Sequence, residues 1–91
     1  MRELQPTTQY RKDLKRYKNN PKKLDALRTI LNFLKEGLPI PSEYFPHKLY
    51  GNYKGCMECR IEGNFLLIWV DEVNNIVELV RLGSHAELFG K

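Results

Sequence analysis

The feature that most restricts this chain is the unbroken apolar run Phe65 to Val70, FLLIWV. Successive side chains of a strand point to opposite faces, so a strand apolar at every position needs cover on both sides. The run is far short of the roughly 18 apolar residues that span a bilayer. Glu62-Gly63-Asn64 before it and Asp71 to Asn75 after it are tight connections of the kind that join antiparallel neighbours. Strands are therefore expected near 55–62, 64–71 and 75–82, with the second in the centre. A chain of 91 residues leaves room for one core, so one domain over residues 1–91 is expected, and the first half must supply the cover.

That half reads as helices. Residues 2–6 can form a first strand ending near Pro6. Thr7 or Thr8 then caps a helix that places Tyr10, Leu14 and Tyr17 on one face and ends at Asn19-Asn20. Asn20 caps a second helix with Pro21 at its first position, where a missing N–H costs nothing. Leu24, Leu27, Leu31 and Leu34 form its stripe, widened by Ile30 and Phe33, and Gly37 is the expected left-handed stop. Residues 38–47 (LPIPSEYFPH) hold three prolines and read as a fixed irregular loop. The order β-α-α-β-β-β, with helices segregated from the later strands, predicts an α+β fold: one antiparallel sheet against a helix pair.

Charge narrows the partners. The net charge is +4, with a pI near 9.2, and the excess is concentrated at Arg11, Lys12, Lys15, Arg16, Lys18, Lys22, Lys23 and Arg28, against only Asp13 and Asp25. Such a patch attracts polyanions, although a solvated helix face would read identically. The N-terminus lacks an apolar signal region, so a cytoplasmic protein with no membrane contact is expected.

Within 55–62, alternation sends Met57, Cys59 and Ile61 toward the helices. Cys56, Glu58, Arg60 and Glu62 point to the other, open face, where Glu58 and Arg60 could pair as a surface salt bridge. Cys56 and Cys59 thus face apart, which makes a disulfide between them geometrically poor. Only His47 and His85 could join them as zinc ligands, and the four do not form a familiar spacing. Two reduced thiols, no metal and no cofactor are expected.

The C-terminus carries candidate chemistry. Arg81 precedes His85 by four residues, with Gly83 between them to turn the backbone. His47 precedes the C-terminal strands. Imidazole, carboxylate and guanidinium gathered at one end of a sheet suit RNA cleavage without a metal. Imidazole can take the 2′-OH proton or protonate the leaving 5′-oxygen. A guanidinium stabilises the charge gathering on the phosphate.

Residues 47–89 resemble the C-terminal half of YafQ-type toxins of the RelE/ParE superfamily. The hallmarks are LPIPSEYFPH, the H-x-L-x-G-x-x-K-G stretch from His47 to Gly55, and the ending RLGSHAELF; the helical patterning of 8–37 also fits. The resemblance implies the RelE-like fold and a toxin of a type II toxin–antitoxin system that cuts mRNA in the ribosomal A site. A cognate antitoxin would restrain it, with operator DNA bound only through that complex. Residue by residue, it implies His85, His47, Glu58, Arg60 and Arg81 as catalytic, and Phe89, Lys48, Lys54 and Asn64 as substrate-binding. Arg11, Lys12, Lys15 and Arg16 would meet ribosomal RNA. Relatives often read Arg-Glu-Cys-His where this chain reads Met57-Glu58-Cys59-Arg60, and carry an acid at the position of Asn64. Arg60 can stabilise phosphate charge but cannot exchange protons near neutrality. Two other readings stay open: a catalytically weakened RNA- or antitoxin-binding module, and a gyrase-inhibiting ParE-like toxin, for which the RLGSHAELF ending has no evident use.

Overall fold

The computed structural model describes residues 1–71 and 74–90. Its elements are β1 (Glu3–Pro6), α1 (Thr8–Lys15), α2 (Pro21–Glu36), β2 (His47–Lys48), β3 (Met57–Glu62), β4 (Phe65–Asp71), β5 (Ile76–Gly83) and α3 (His85–Phe89). The expected connection from Asp71 to Asn75 includes Glu72 and Val73, which lie outside the described residues. Asn74 and Asn75 both have positive φ, 66° and 62°, conformations that asparagine tolerates better than most residues.

The sheet order is β1-β5-β4-β3-β2, so the apolar run is its central strand. Phe65, Leu67 and Trp69 face α1 and α2, joining Tyr10, Leu27, Ile30 and Leu34 in the main core. Leu66 and Ile68 face the other way and are covered by Leu88, Phe89, Tyr53 and Leu49. That second cover comes from α3 and the turn at Gly51–Tyr53, neither of which hydrophobic patterning suggests. The sheet is also mixed: β1 runs parallel to β5, while β2, β3 and β4 pair antiparallel.

The helix ends follow their expected chemistry. Thr7 accepts from the Tyr10 N–H, Asn20 accepts from the Lys23 N–H with Pro21 beginning α2, and Gly37 closes α2 at φ 72°. Each side-chain cap contributes about 1 kcal/mol. However, α1 stops at Lys15, earlier than the Asn19-Asn20 signal, and Tyr17 packs from the turn that follows.

A shift in strand register decides where two charges go. β4 and β5 slip past one another between Ile68 and Trp69: Ile68 opposes Arg81, Trp69 opposes Leu79, and Val80 is the extra residue. β1 covers the outer edge of β5 only as far as Leu79. Beyond it α1 takes over with side chains. Thr7 Oγ1 donates to the Val80 carbonyl, 3.0 Å, and Asp13 Oδ2 accepts from the Leu82 N–H, 3.0 Å. A carboxylate thus substitutes for the missing strand partner. A second irregularity, between Arg60 and Glu62, turns Glu62 toward Lys23 of α2, 3.7 Å away. Simple alternation puts Glu62 on the open face instead.

Candidate active site

Phe45 adopts a left-handed conformation, φ 51°, as the proline-rich loop enters β2. His47 opens that strand and lies opposite Glu58 of β3. Its Nδ1 lies 2.7 Å from the Phe45 carbonyl oxygen, and its Nε2 lies 3.0 Å from Glu58 Oε1. A carbonyl can only accept, so Nδ1 carries hydrogen. Nε2 then either accepts from a protonated Glu58 or donates to its carboxylate. In both cases the pair shares one mobile proton.

Glu58 is only 7% exposed, and its Oε2 has no partner among the described residues. Burial raises its pKa above the usual carboxylate value, against the opposing pull of His47, His85 and Arg60. Arg60 stands two residues along on the same face of β3. It makes no ion pair with Glu58 among the described residues, contrary to the surface salt bridge anticipated from alternation. Its guanidinium carbon lies over the Phe45 ring, 5.2 Å from the centroid.

His85 closes the site from the other side. It is the first residue of α3, whose Ser84 cap accepts from the Glu87 N–H while Glu87 accepts from the Ser84 N–H. The sequence signal for this reciprocal capping box is Ser84-x-x-Glu87, which the reading of the terminus as RLGSHAELF passes over. Gly83 has φ 154°, and a Cβ there would stand 2.6 Å from Glu87 Oε1. That oxygen also accepts from Tyr17 Oη, 2.5 Å, and Oε2 meets Arg16 Nε at 3.2 Å. These bonds, Tyr17 first, hold Glu87 below the usual carboxylate range. The His85 backbone N–H donates to Asn64 Oδ1, 3.0 Å, and its ring leans on Phe89 with centroids 4.8 Å apart. Neither ring nitrogen of His85 has a hydrogen-bond partner among the described residues, which leaves both available to a substrate.

Phe45, His47, Glu58, Arg60, Gly63, Asn64, Leu66 and His85 enclose a cleft of about 340 Å³. A larger hollow, about 540 Å³ along α2, is lined by Asp25, Arg28, Thr29, Asn32, Phe33 and Leu38 and contains no imidazole. Acid–base chemistry therefore concentrates in the smaller cleft.

Four of the five residues expected to be catalytic meet there. Arg81 does not line it. Its Nε donates to Asp13 Oδ2 at 2.7 Å, and its Nη1 donates to Tyr53 Oη at 3.1 Å. Asp13 is fully buried. Burial alone would raise its pKa, but bonds from Arg81, Leu82 and Gln9 bring it below the ordinary value. Arg81 is thus held as an internal counter-ion rather than presented to solvent. The sequence does hint at this. Asp13 shares the helix face of Tyr10, Leu14 and Tyr17, and a carboxylate on an apolar face needs a buried partner.

Other placements differ from expectation. Lys48 and Lys54 line a separate groove with Tyr50 and Met57, because His47 and Lys48 point to opposite sides of β2. Phe89 is half-buried behind His85, edge-on to Tyr53 at 5.6 Å. Arg11, Lys12 and Lys15 are exposed on α1, whereas Arg16 is engaged by Asp13 and Glu87. Cys56 and Cys59 are free and buried in different clusters; burial pushes the Cys59 thiol up to about 12. The described residues contain no group of three or more His, Cys, Asp or Glu able to hold a metal.

A family model described as a bacterial toxin of type II toxin-antitoxin systems, YafQ, matches residues 2–90. The chain belongs to the YafQ toxin family. It is 31% identical over 90 residues to the mRNA interferase toxin YafQ of Escherichia coli K12, covering 98% of this chain and 97% of that protein. A metal-bound toxin from Helicobacter pylori superposes with a TM-score of 0.87 at 33% identity, covering 98% of this chain and all of that one. The E. coli YafQ in complex with DinJ superposes with a TM-score of 0.83 at 31% identity over 98% of each chain. The overall fold of this chain is therefore that of the solved family members.

Proposed function

We propose that this YafQ-family toxin cuts mRNA in the ribosomal A site with its own imidazole, carboxylate and guanidinium groups and without a catalytic metal. Its curated relatives are mRNA interferases, and the chain is an endoribonuclease of that kind. The observation that carries the mechanism is the proton-sharing His47–Glu58 pair in the same cleft as His85, whose ring nitrogens have no partner among the described residues.

The ribose 2′-oxygen loses its proton and bonds to the adjacent phosphorus. The bond from phosphorus to the 5′-oxygen breaks, and that oxygen takes up a proton. The products are a 2′,3′-cyclic phosphate and a 5′-hydroxyl. His85 and the His47–Glu58 pair divide the two transfers between them, one as base and the other as acid. Imidazole can both accept and donate a proton through its ring nitrogens, which suits it to either transfer. Arg60, exposed at the cleft, neutralises the charge that builds on the non-bridging oxygens. Asn64 fixes the start of α3 through the His85 N–H, and Phe89 supports the His85 ring from behind. Arg11, Lys12 and Lys15 supply the exposed charge for ribosomal RNA, and Lys48 and Lys54 contact the message beyond the cleft.

A cognate antitoxin restrains the toxin in this reading, as the complex of E. coli YafQ with DinJ supports, and operator DNA is met only through such a complex. No described helix is long and apolar enough to cross a membrane. The test is induced expression of wild type and His85→Ala, with growth and mRNA 5′ ends followed together. Wild type should arrest growth and create new 5′ ends within codons, and His85→Ala should do neither. Arrest without new 5′ ends would overturn the reading.

A further inference from the structure

Phe45 lines the cleft, yet neither the family resemblance nor the proton-transfer scheme gives its ring a role. Its position is unusual in three independent ways. It is a large aromatic side chain left 59% exposed at the mouth of a cleft. Its backbone is left-handed at φ 51°, a conformation that is costly for a non-glycine residue. And it touches both halves of the site: its carbonyl receives the His47 Nδ1 hydrogen, 2.7 Å, while its ring lies under the Arg60 guanidinium, 5.2 Å.

The left-handed turn and the ring placement have one geometric consequence. Arg60 occupies one face of the ring, and the exposure leaves the rest of the ring open toward the cleft. A guanidinium held over a ring is fixed in position yet keeps its in-plane N–H donors free, and no hydrogen bond to Arg60 occupies them among the described residues. One element thus offers an apolar π surface and a phosphate-binding fork side by side. Single-stranded RNA presents that pair of features at each nucleotide: a flat base and a phosphate one sugar away.

We propose that Phe45 is a nucleobase-stacking residue that, beside Arg60, holds the base next to the scissile phosphate. The proposal rests on the RNA-cleaving reading above and adds a substrate contact to it. The hydrogen bond from His47 to the Phe45 carbonyl couples base stacking to placement of the proton-sharing pair.

The experiment is single-turnover cleavage on ribosomes programmed with short mRNAs, in which one abasic nucleotide is walked through the A-site codon and its flanks. Wild type, Phe45→Ala, Phe45→Tyr and His85→Ala are compared, with thermal melts confirming that each is folded. Removing one base–aromatic stack should lower kcat/KM by about 5- to 160-fold. Phe45→Ala should show that loss on intact RNA, and Phe45→Tyr should stay within about twofold of wild type, because its ring stacks as well. At one codon position the abasic substitution should slow wild type by a similar factor and leave Phe45→Ala almost unaffected, since both changes remove the same stack. The proposal is overturned if Phe45→Ala cleaves like wild type, or if abasic losses multiply with the Phe45 loss at every position. Failure of wild type to cut any of these messages would overturn the RNA-cleaving reading together with this one. Cleavage that depends on His85 but shows no coupling to Phe45 would overturn this one alone.

Discussion

Replacing Asp13 with asparagine separates a structural arginine from a phosphate-binding one. The Asp13 carboxylate is fully buried and receives Arg81 Nε at 2.7 Å, Arg81 Nη2 at 3.3 Å, Arg16 Nη2 at 2.8 Å, Gln9 Nε2 at 3.2 Å and the Leu82 N–H at 3.0 Å. Asparagine keeps the shape but turns an NH2 toward these donors and leaves the half-buried Arg81 charge without its counter-ion. Breaking a buried pair in this way costs about 3–5 kcal/mol. In a domain of this size each kcal/mol moves Tm by roughly 4–8 °C, so a fall of at least about 12 °C is expected. The pH dependence gives an independent check. The folded pKa of Asp13 lies below its unfolded value of 3.8. Its contribution is therefore complete above that value and is lost as pH falls through the folded pKa. Thermal unfolding followed by circular dichroism from about pH 2.5 to 7 should show this acid-side loss in wild type and a smaller one in Asp13→Asn. A variant that melts within about 4 °C of wild type, with the same acid profile, would refute the internal-pair assignment and return Arg81 to the candidates for phosphate binding.

The folded pKa of Glu58 is raised by burial, so its stabilising protonation is complete below the unfolded pKa and is lost as pH rises through the folded one. Glu58→Gln should accordingly gain Tm relative to wild type as pH rises from about 4 to 8 while cleavage falls, and a constant difference across that range would contradict the shift. Arg60→Ala should lose at least tenfold in kcat, about 1.4 kcal/mol, and Arg60→Lys should not restore it, because one ammonium reproduces neither the fork nor the stack; equal rates would remove Arg60 from the mechanism. Converting Lys12 and Lys15 to glutamate should leave Tm unchanged and reduce the slope of log ribosome affinity against log salt by roughly 0.7–0.9 for each phosphate no longer neutralised. Arg16→Glu should lower Tm as well, since Arg16 pairs with Asp13 and Glu87; loss of stability in the Lys12/Lys15 variant instead would mean that α1 is not a free charged face.

The parts of the fold legible in the sequence are those governed by periodicity and end chemistry. The central strand, the α2 stripe, the Asn20-Pro21 start, the Gly37 stop and the outward separation of the two cysteines all arise from local spacing. What is not legible depends on registers set in three dimensions. The slip at Val80 decides which edge atoms of β5 lack a strand partner, and only then does Asp13 become the residue that fills the gap and takes Arg81 with it. The two-residue β2 carries no periodicity, so the opposite facing of His47 and Lys48 is invisible. Helix α3 is legible as Ser84-x-x-Glu87 followed by Leu88-Phe89, but its length is below that at which a hydrophobic stripe can be recognised. Phe45 carries only a faint signal, an aromatic residue directly before Pro46 in a loop that ends at His47.

The most direct measurement of the central claim is the single-turnover rate of mRNA cleavage on programmed ribosomes by wild type and His85→Ala, with the product ends identified chemically. Neither ring nitrogen of His85 has a partner among the described residues, and the same cleft holds the His47–Glu58 pair, so removing its imidazole should slow cleavage by about 10²–10⁴-fold at unchanged ribosome affinity. Wild type should leave a 2′,3′-cyclic phosphate and a 5′-hydroxyl. Cleavage by His85→Ala within a few-fold of wild type, or a product bearing a 5′-phosphate, would contradict the account.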